Sequence, residues 1–262
     1  MKSTHFRVAL AQVTTGADAD VVCAAAAAQQ AELIVFPEMF SNGYSRFEPD
    51  SQASRKAWLD GAEPLDGAYI AGFRDVARRR RLSIVATFLE QGETAPFNAA
   101  VLIDADGEIV LHQRKRHICF FDVPETACAP GDRSSVARLK TRAGEITVGV
   151  MICMDREYPE VGADLIRQGA DIILVPNSSP LIDDPTVGDV RVAGVRAMAF
   201  QYAAGIAVAN YPAPKDDGHS FAVDGLGRII AMGGAETGLV IADFDIEALK
   251  AVQRQEWFRR TR

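Results

Sequence analysis

Cysteine is scarce in this sequence, and the four cysteines are far apart: Cys23, Cys119, Cys128 and Cys153. They form no CxxC pair and stand beside no spacing typical of metal ligands, which argues against a structural zinc site. We therefore expect no metal in this protein. In a reducing compartment the four side chains are expected to be free thiols.

Long apolar runs and an excess of positive charge are also missing. No apolar stretch reaches the roughly 18 residues that a membrane-spanning helix needs, and the apolar run within MKSTHFRVALAQV is too short for a signal peptide. The formal net charge is −7 and the sequence pI is about 5.2, which disfavours nucleic acid as a partner. We expect a cytoplasmic protein that binds neither membrane nor nucleic acid.

What is present is the composition of an ordinary globular protein. The 262 residues, 48% of them hydrophobic and 24% charged, are enough for a large core and predict a single domain over residues 1–262. Strand-like runs alternate with helical patterns at 17–32, 65–81, 159–168 and 187–204, which indicates an α/β fold. Asp106-Gly107 and Asp224-Gly225 indicate hairpin turns, and hairpins in such a fold predict mixed sheets.

Three predicted strands end on chemically reactive side chains. The apolar run 33–36 leads into Glu38, the run 109–111 leads into Lys115, and the run 148–152 leads into Cys153. If these runs are neighbouring strands of one open sheet, their carboxyl ends meet at one edge, which is where open α/β sheets bind ligands. A site made of glutamate, lysine and cysteine is therefore predicted.

The three residue types make a coherent nucleophilic site. A free thiol with a pKa of about 8.5 is mostly protonated at neutral pH, so a nucleophilic cysteine needs a base or a nearby cation. Glu38 can accept the proton and Lys115 can stabilise the thiolate. Acidic residues after the cysteine would raise its pKa and make a cation necessary; they are Asp155, Glu157 and Glu160.

The stretch after the cysteine predicts a helix start. Tyr158-Pro159 places proline at an early helical position, so amides just after Cys153 are free to donate hydrogen bonds. The Met154 N–H could then face a developing oxyanion. Each residue also has a plainer interpretation, with Cys153 as a core residue, Glu38 as a loop carboxylate and Lys115 as part of a basic sheet edge.

Three motifs together resemble the nitrilase superfamily of carbon-nitrogen hydrolases. FPEMFSNGY is similar to its first motif, HQRKRHI to its second and GVMICMDREYPE to its third. Three motifs in the right order are a far more specific signal than any one of them. The resemblance implies a four-layer αββα sandwich with mixed sheets, with Glu38 as general base, Lys115 as the triad lysine and Cys153 as nucleophile.

The resemblance also implies supporting residues. Glu125, in VPETACAPGD, falls where the family has a second glutamate, and Met154 follows the nucleophile. By the same resemblance Tyr44, Asn177 and Ser178 are expected to contact substrate, and no cofactor is expected. The segment that contains Cys119 and Cys128 has an unusual apolar character. A packing role is expected for both thiols.

The implied reaction is hydrolysis of a non-peptide C–N bond in a small linear amide or N-carbamoyl compound through a cysteine thioester. Met154-Asp155 stands in place of the Trp-Glu pair of true nitrilases, so amides are favoured over nitriles. The family also implies a homodimer or larger homo-oligomer, to which Trp257-Phe258 could contribute. The pair Asp183-Asp184 could favour a cationic substrate group, although a solvated loop is the simpler interpretation.

Three alternatives remain open from sequence. A Cys-His catalyst would pair Cys153 with His117 or His219, but it leaves Glu38 and Lys115 unexplained. A metal-dependent phosphodiesterase on a similar sandwich needs a carboxylate-histidine constellation that the sequence does not indicate. A catalytically silent hydrolase scaffold that binds a ligand is the third, because fold alone does not determine function.

Overall fold

The computed structural model describes residues 4–121 and 123–255. Twelve strands lie within these ranges: β1 His5–Gln12, β2 Leu33–Val35, β3 Ser83–Glu90, β4 Phe97–Ile103, β5 Ile109–Arg114, β6 Val136–Thr141, β7 Gly144–Val150, β8 Ile172–Pro176, β9 Gly205–Ala209, β10 Phe221–Val223, β11 Ile229–Met232 and β12 Gly238–Asp245. The α-helices of the same ranges are α1 Ala19–Ala28, α2 Gln52–Asp60, α3 Ala68–Arg80, α4 Pro159–Arg167, α5 Val190–Tyr202 and α6 Ile246–Gln255.

The strands form two six-stranded mixed sheets. One has the order β12-β1-β2-β3-β4-β5 and the other the order β11-β10-β9-β8-β7-β6. In each sheet a parallel centre is flanked by antiparallel pairs. Antiparallel β4–β5 and β10–β11 confirm the two predicted hairpins.

Strand alternation explains why the sheets stack. In β1, Val8 and Leu10 point into a core shared by both sheets, whereas Ala9 and Ala11 point into the core under α1 and α3. In β8, Ile172 and Leu174 face that shared core while the alternate residues pack beneath α4 and α5. Both faces of each sheet are therefore buried, and the four layers follow the predicted order helix, sheet, sheet, helix.

The expectation that one open sheet carries all three reactive residues is wrong. β2 and β5 belong to the first sheet, where they are separated by β3 and β4, and β7 belongs to the second. The segments that follow β2 and β8 nevertheless meet at the site, because the Glu38 N–H donates to the Asn177 carbonyl oxygen at 3.3 Å. The site thus lies between the two sheets rather than along one edge.

Some elements departed from the sequence prediction. Helices α2 and α6 and strand β6 were not predicted, and α1 is shorter than the expected 17–32 because Asp18 caps its start and Gln30 has a φ of +62°. Pro159 does occupy the first position of α4, as predicted. In the described part of the chain, no helix is both long and apolar enough to cross a bilayer.

Candidate active site

Cys153 follows β7 at a sharp turn of the backbone. Its φ is +44°, in the left-handed region that disfavours side chains with a Cβ, and it opens the short 3-10 helix Cys153–Glu157. Non-glycine residues in this region concentrate at functional sites, because surrounding structure must hold them there. The turn directs the chain from the inter-sheet core into the loop that lines the site.

Asp155 fastens the cysteine loop to the lysine loop. Its side chain is buried and accepts backbone N–H groups of Ile152, Arg116 and His117 at 3.1, 3.1 and 2.8 Å. Burial raises the pKa of Asp155, and these backbone donors oppose the rise. The carboxylate expected to perturb the thiol is instead a structural link between two segments of the site.

Lys115 lies at the centre of a fully buried ion cluster. Its Nζ donates to Glu38 Oε1 at 2.8 Å and to Glu125 Oε1 at 2.5 Å, and all three side chains are 0% exposed. Burial lowers the pKa of Lys115, but the Glu38 carboxylate, the thiolate form of Cys153 and the Glu125 carboxylate outweigh it and raise that pKa well above the ordinary value. The lysine is therefore a permanent cation.

Glu38 has the environment of a general base. Its Oε1 accepts from Lys115 and from Asn98 Nδ2 at 2.7 Å, whereas its Oε2 is buried and has no hydrogen-bond partner in the described residues. The pKa of Glu38 is raised to about 7, mainly by burial. Within this net value, the Lys115 cation lowers the pKa and the Glu125 carboxylate raises it. A base that titrates near neutrality is suited to proton transfer.

Glu125 has the opposite tendency. Burial raises its pKa, but the adjacent Lys115 ammonium outweighs burial, and the net effect lowers the pKa of Glu125. Asn98 Nδ2 and the Tyr44 hydroxyl donate to its Oε1 at 2.7 and 3.1 Å, and the Cys119 N–H donates to its Oε2. It is thus the stable counter-ion of Lys115, which leaves Glu38 free to exchange a proton.

The Cys153 thiol is neutral at neutral pH. Burial and the nearby Glu38 carboxylate raise the pKa of Cys153 to about 11, while Lys115 and Arg156 oppose the rise. The expected cause was the acidic run after the cysteine, and the structure replaces that run with burial and Glu38. Because the thiol is protonated at neutral pH, attack requires a base, as the sequence predicted.

Arg156 was missed by the sequence interpretation. Its side chain is buried, its Nη1 lies 3.6 Å from Cys153 Sγ and also donates to Asn177 Oδ1, and its Nε is a buried donor with no partner in the described residues. A second cation thus stands beside the nucleophile. The only available signal was its position inside the third motif, three residues after the cysteine.

A cavity of about 560 Å³ opens onto the Cys153 side chain. Cys153, Met154, Tyr44 and Ser178 line it, and Cys119 lines it too, with its Sγ 3.6 Å from Lys115 Nζ and 3.4 Å from Met154 Sδ. Cys119 therefore packs against Met154 and also lines the cavity beside Lys115, which the packing role expected for it did not include. All four cysteines are unpaired, and Cys128 packs in the core under the helices.

The other predicted residues lie elsewhere. Asn177 is fully buried, does not line the cavity, and orients Arg156, so the structure gives it a positioning role in place of substrate contact. Asp183 and Asp184 do not line the cavity either; Asp184 caps the local backbone at Thr186 and Val187. The solvated-loop interpretation of this pair holds. Trp257-Phe258 lies outside the described residues.

Neither histidine serves the thiol. His117 is held between Asp155 and Glu160, at 3.2 Å from each carboxylate, and stacks on Tyr158. His219 lies 3.7 Å from Asp217. The contacts of Cys153 Sγ within the described residues are Arg156 Nη1 and, at 3.9 Å, the carbonyl oxygen of Ser178.

Among the described residues, Asp183, Asp217 and His219 bring one nitrogen and two carboxylate oxygens close enough together for a metal ion, within 4.8 Å of one another. However, Asp217 Oδ2 already accepts the backbone N–H groups of Leu181, Ile182 and Asp183 at 2.7–2.9 Å. This carboxylate organises the loop around residue 182. The group gives no support to a phosphodiesterase site.

Comparison with known proteins agrees with this geometry. The family model described as carbon-nitrogen hydrolase matches residues 12–254. The chain belongs to the carbon-nitrogen hydrolase family. The predicted superfamily and its four-layer fold are thereby confirmed.

Relatives of this carbon-nitrogen hydrolase include amidases. An (R)-stereoselective amidase from Pseudomonas sp. is 28% identical over 235 residues, which cover 88% of this chain and 79% of the relative. A deaminated glutathione amidase from Bos taurus is 25% identical over 266 residues, which cover 95% of this chain and 79% of that protein.

Solved structures of an amidase from Nesterenkonia sp. share the fold. One has a TM-score of 0.75 at 25% identity and covers 100% of this chain and 97% of its own. A mutant of the same amidase, with a TM-score of 0.73 at 25% identity over 96% of both chains, has the acetamide moiety of fluoroacetamide covalently added at its active-site cysteine. The site of this chain can therefore be compared with that of an amidase of the same fold, in which the active-site cysteine carries the covalent adduct.

Proposed function

We propose that the protein hydrolyses small linear amides through a thioester on Cys153, with Glu38 as general base and Lys115 as electrostatic stabiliser. The observation that carries this proposal is the buried cluster itself. A nucleophilic thiol faces a cavity of about 560 Å³, and behind it a glutamate with an unpartnered Oε2 is held by a buried lysine. Amidase relatives support the choice of substrate.

The first half-reaction follows from these positions. Cys153 Sγ attacks the amide carbon while Glu38 Oε2 accepts the thiol proton, and the carbonyl oxygen becomes an oxyanion. Lys115 has three N–H donors, of which two bind carboxylates and the third points only toward the weak acceptor Cys119 Sγ. That third donor and the Met154 N–H are proposed to stabilise the oxyanion.

The second half-reaction regenerates the enzyme. As the C–N bond breaks, Glu38 returns its proton to the nitrogen, which leaves as ammonia or an amine. Glu38 then accepts a proton from water as the water oxygen attacks the thioester, and the acid leaves as the sulfur regains a proton. No step requires a metal or an organic cofactor.

The test is ammonia release from small amides, N-carbamoyl compounds and nitriles, together with intact-protein mass spectrometry for an acyl adduct. Cys153→Ala, Glu38→Gln and Lys115→Met are each expected to abolish turnover while the circular dichroism spectrum is unchanged. Cys23→Ala, at a buried thiol of the helix-side core, is the matched control and should remain active. Substantial turnover by any triad variant would contradict the assignment, and silence of the wild type across the panel would favour a binding scaffold.

The assembly state and location belong to the same proposal. A homodimer or larger homo-oligomer is supported by Phe200, an apolar side chain that α5 leaves 49% exposed. Sedimentation at several concentrations tests the assembly, and a monomer throughout would refute it. The proposed location is the cytoplasm, which fractionation of the native cells would test.

A further inference from the structure

The active-site cavity has a charge balance opposite to that of the whole chain. The chain carries a net charge of −7, yet cations outnumber carboxylates around the cavity. Its charged lining residues are Arg46, Arg156, Arg191, Lys215, Glu157 and Asp216. Because a concave wall concentrates the field of the charges along it, this reversal favours an anionic group inside the cavity.

Lys215 is a weakly neutralised member of this set. Its Nζ donates to the Tyr44 carbonyl oxygen at 3.0 Å and lies 5.4 Å from the centre of the Tyr44 ring. Among residues 4–121 and 123–255 no carboxylate forms an ion pair with it. A lysine ammonium has three donors, so at least one remains available to a ligand in the cavity.

Arg191 adds a second weakly compensated positive charge to the cavity lining. We call Lys215 and Arg191 together the cationic wall. Arg191 Nη1 donates to the Pro180 carbonyl oxygen at 2.7 Å, and the ion pair of Arg191 with Asp184 is long, at 3.9 Å. Asp216, which accepts the Ser178 hydroxyl at 2.9 Å, also lines the cavity but forms no ion pair with either cation among the described residues. With Asp184 counted, these two cations face two carboxylates, but only Asp216 lies in the cavity lining, so the lining itself keeps more cations than carboxylates.

This wall is coupled to the catalytic cluster by direct contacts. The ring of Tyr44, over which the Lys215 ammonium lies, ends in a hydroxyl that donates to Glu125 at 3.1 Å. Ser178, which binds Asp216, also places its carbonyl oxygen 3.9 Å from Cys153 Sγ. One tyrosine side chain therefore separates the cationic wall from the triad, so a short substrate can contact both.

We propose that Lys215, assisted by Arg191, binds a carboxylate at the end of the substrate distant from the amide. The preferred substrate class is then a small amide that carries a carboxylate, such as the monoamide of a short dicarboxylic acid. This inference rests on the proposed function for its chemistry. It runs against the cationic substrate group that Asp183 and Asp184 had left as an alternative, since both residues lie outside the cavity lining.

The test compares three amides of matched length: the monoamide of succinic acid, the neutral butyramide and an ω-amino amide. Wild type, Lys215→Met and Lys215→Glu are assayed for kcat/KM at constant ionic strength. Wild type should prefer the anionic amide, and Lys215→Met should lower the anionic-to-neutral ratio by about tenfold or more, mainly through KM. Lys215→Glu should turn the preference toward the cationic amide.

Lys140 offers the matched control, because it is an exposed lysine on β6 outside the cavity lining. Lys140→Met and Lys140→Glu change the net charge of the protein by the same amounts and should leave the ratio unaltered. An unaltered ratio in both Lys215 variants, or a ratio that the Lys140 variants change equally, would overturn the inference.

Binding of the same three compounds to Cys153→Ala, measured by calorimetry, separates this inference from the proposed function. Preferential binding of the anionic amide that depends on Lys215 supports the carboxylate subsite even if hydrolysis fails. Equal binding of anionic and neutral amides contradicts the subsite while hydrolysis of either one still supports the proposed function.

Discussion

Asn98 is the residue whose replacement tests the electrostatics of the site most directly. It lies on β4, where its buried Nδ2 donates to Glu38 Oε1 and to Glu125 Oε1, each at 2.7 Å. Asn98→Leu keeps nearly the same side-chain volume but removes both donors. Because these hydrogen bonds favour the ionised carboxylates, their loss should raise the pKa of Glu38 above its present value of about 7.

The size of the rise follows from the strength of such bonds. A hydrogen bond to a charged group contributes about 1.5–3 kcal/mol, and one pKa unit corresponds to about 1.4 kcal/mol. The pKa of Glu38 should therefore rise by roughly one unit or somewhat more. Since the base must be ionised, kcat/KM falls as pH drops through this pKa, and the acidic limb should move to higher pH.

The assay is the pH profile of kcat/KM for ammonia release. At acidic pH, Asn98→Leu should be slower than wild type by about tenfold for each pH unit that the limb moves, and it should approach the wild-type rate at alkaline pH. Asn42→Leu is the matched control, since the side-chain N and O of Asn42 have no hydrogen-bond partner in the described chain. An acidic limb that stays in place in Asn98→Leu, or an equal loss of rate at every pH, would refute the reasoning.

Three further perturbations address the rest of the cluster. Arg156→Met should raise the pKa of Cys153 further and so slow the alkylation of Cys153 by iodoacetamide at a given pH, and Arg156→Lys should restore part of the rate. Equal alkylation rates in wild type and Arg156→Met would show that the guanidinium does not stabilise the thiolate. Lys115→Met leaves two buried carboxylates without their cation, so they stay protonated in the folded state. The free energy of unfolding of Lys115→Met in urea should consequently be greatest at acidic pH and fall as pH rises through the raised pKa values of the folded state. A loss of stability relative to wild type that is the same at every pH would contradict this. Asp155→Ala, which strands three backbone donors, should lower the free energy of unfolding by about 1–3 kcal/mol, whereas a change below about 0.5 kcal/mol would deny its linking role.

The sequence by itself determined the identity of the reactive groups. Glu38, Lys115 and Cys153 each stand where an apolar strand breaks into polar residues, which is a local pattern that needs no knowledge of neighbours. The α/β class followed from strand–helix alternation, and the family with its four-layer sandwich followed from the resemblance of three ordered motifs; both are confirmed. The requirement for a base beside the thiol also followed, because it depends only on thiol chemistry.

Tertiary structure decided how these groups are held and tuned. Strand order is set by pairing between distant segments, so the sequence could not reveal that β7 belongs to a second sheet while β2 and β5 belong to the first. For the same reason Asn98, Arg156 and Lys215 escaped notice, since their roles arise from packing against residues remote in the chain. Burial, which depends on the complete fold, raises the pKa of both the thiol and its base.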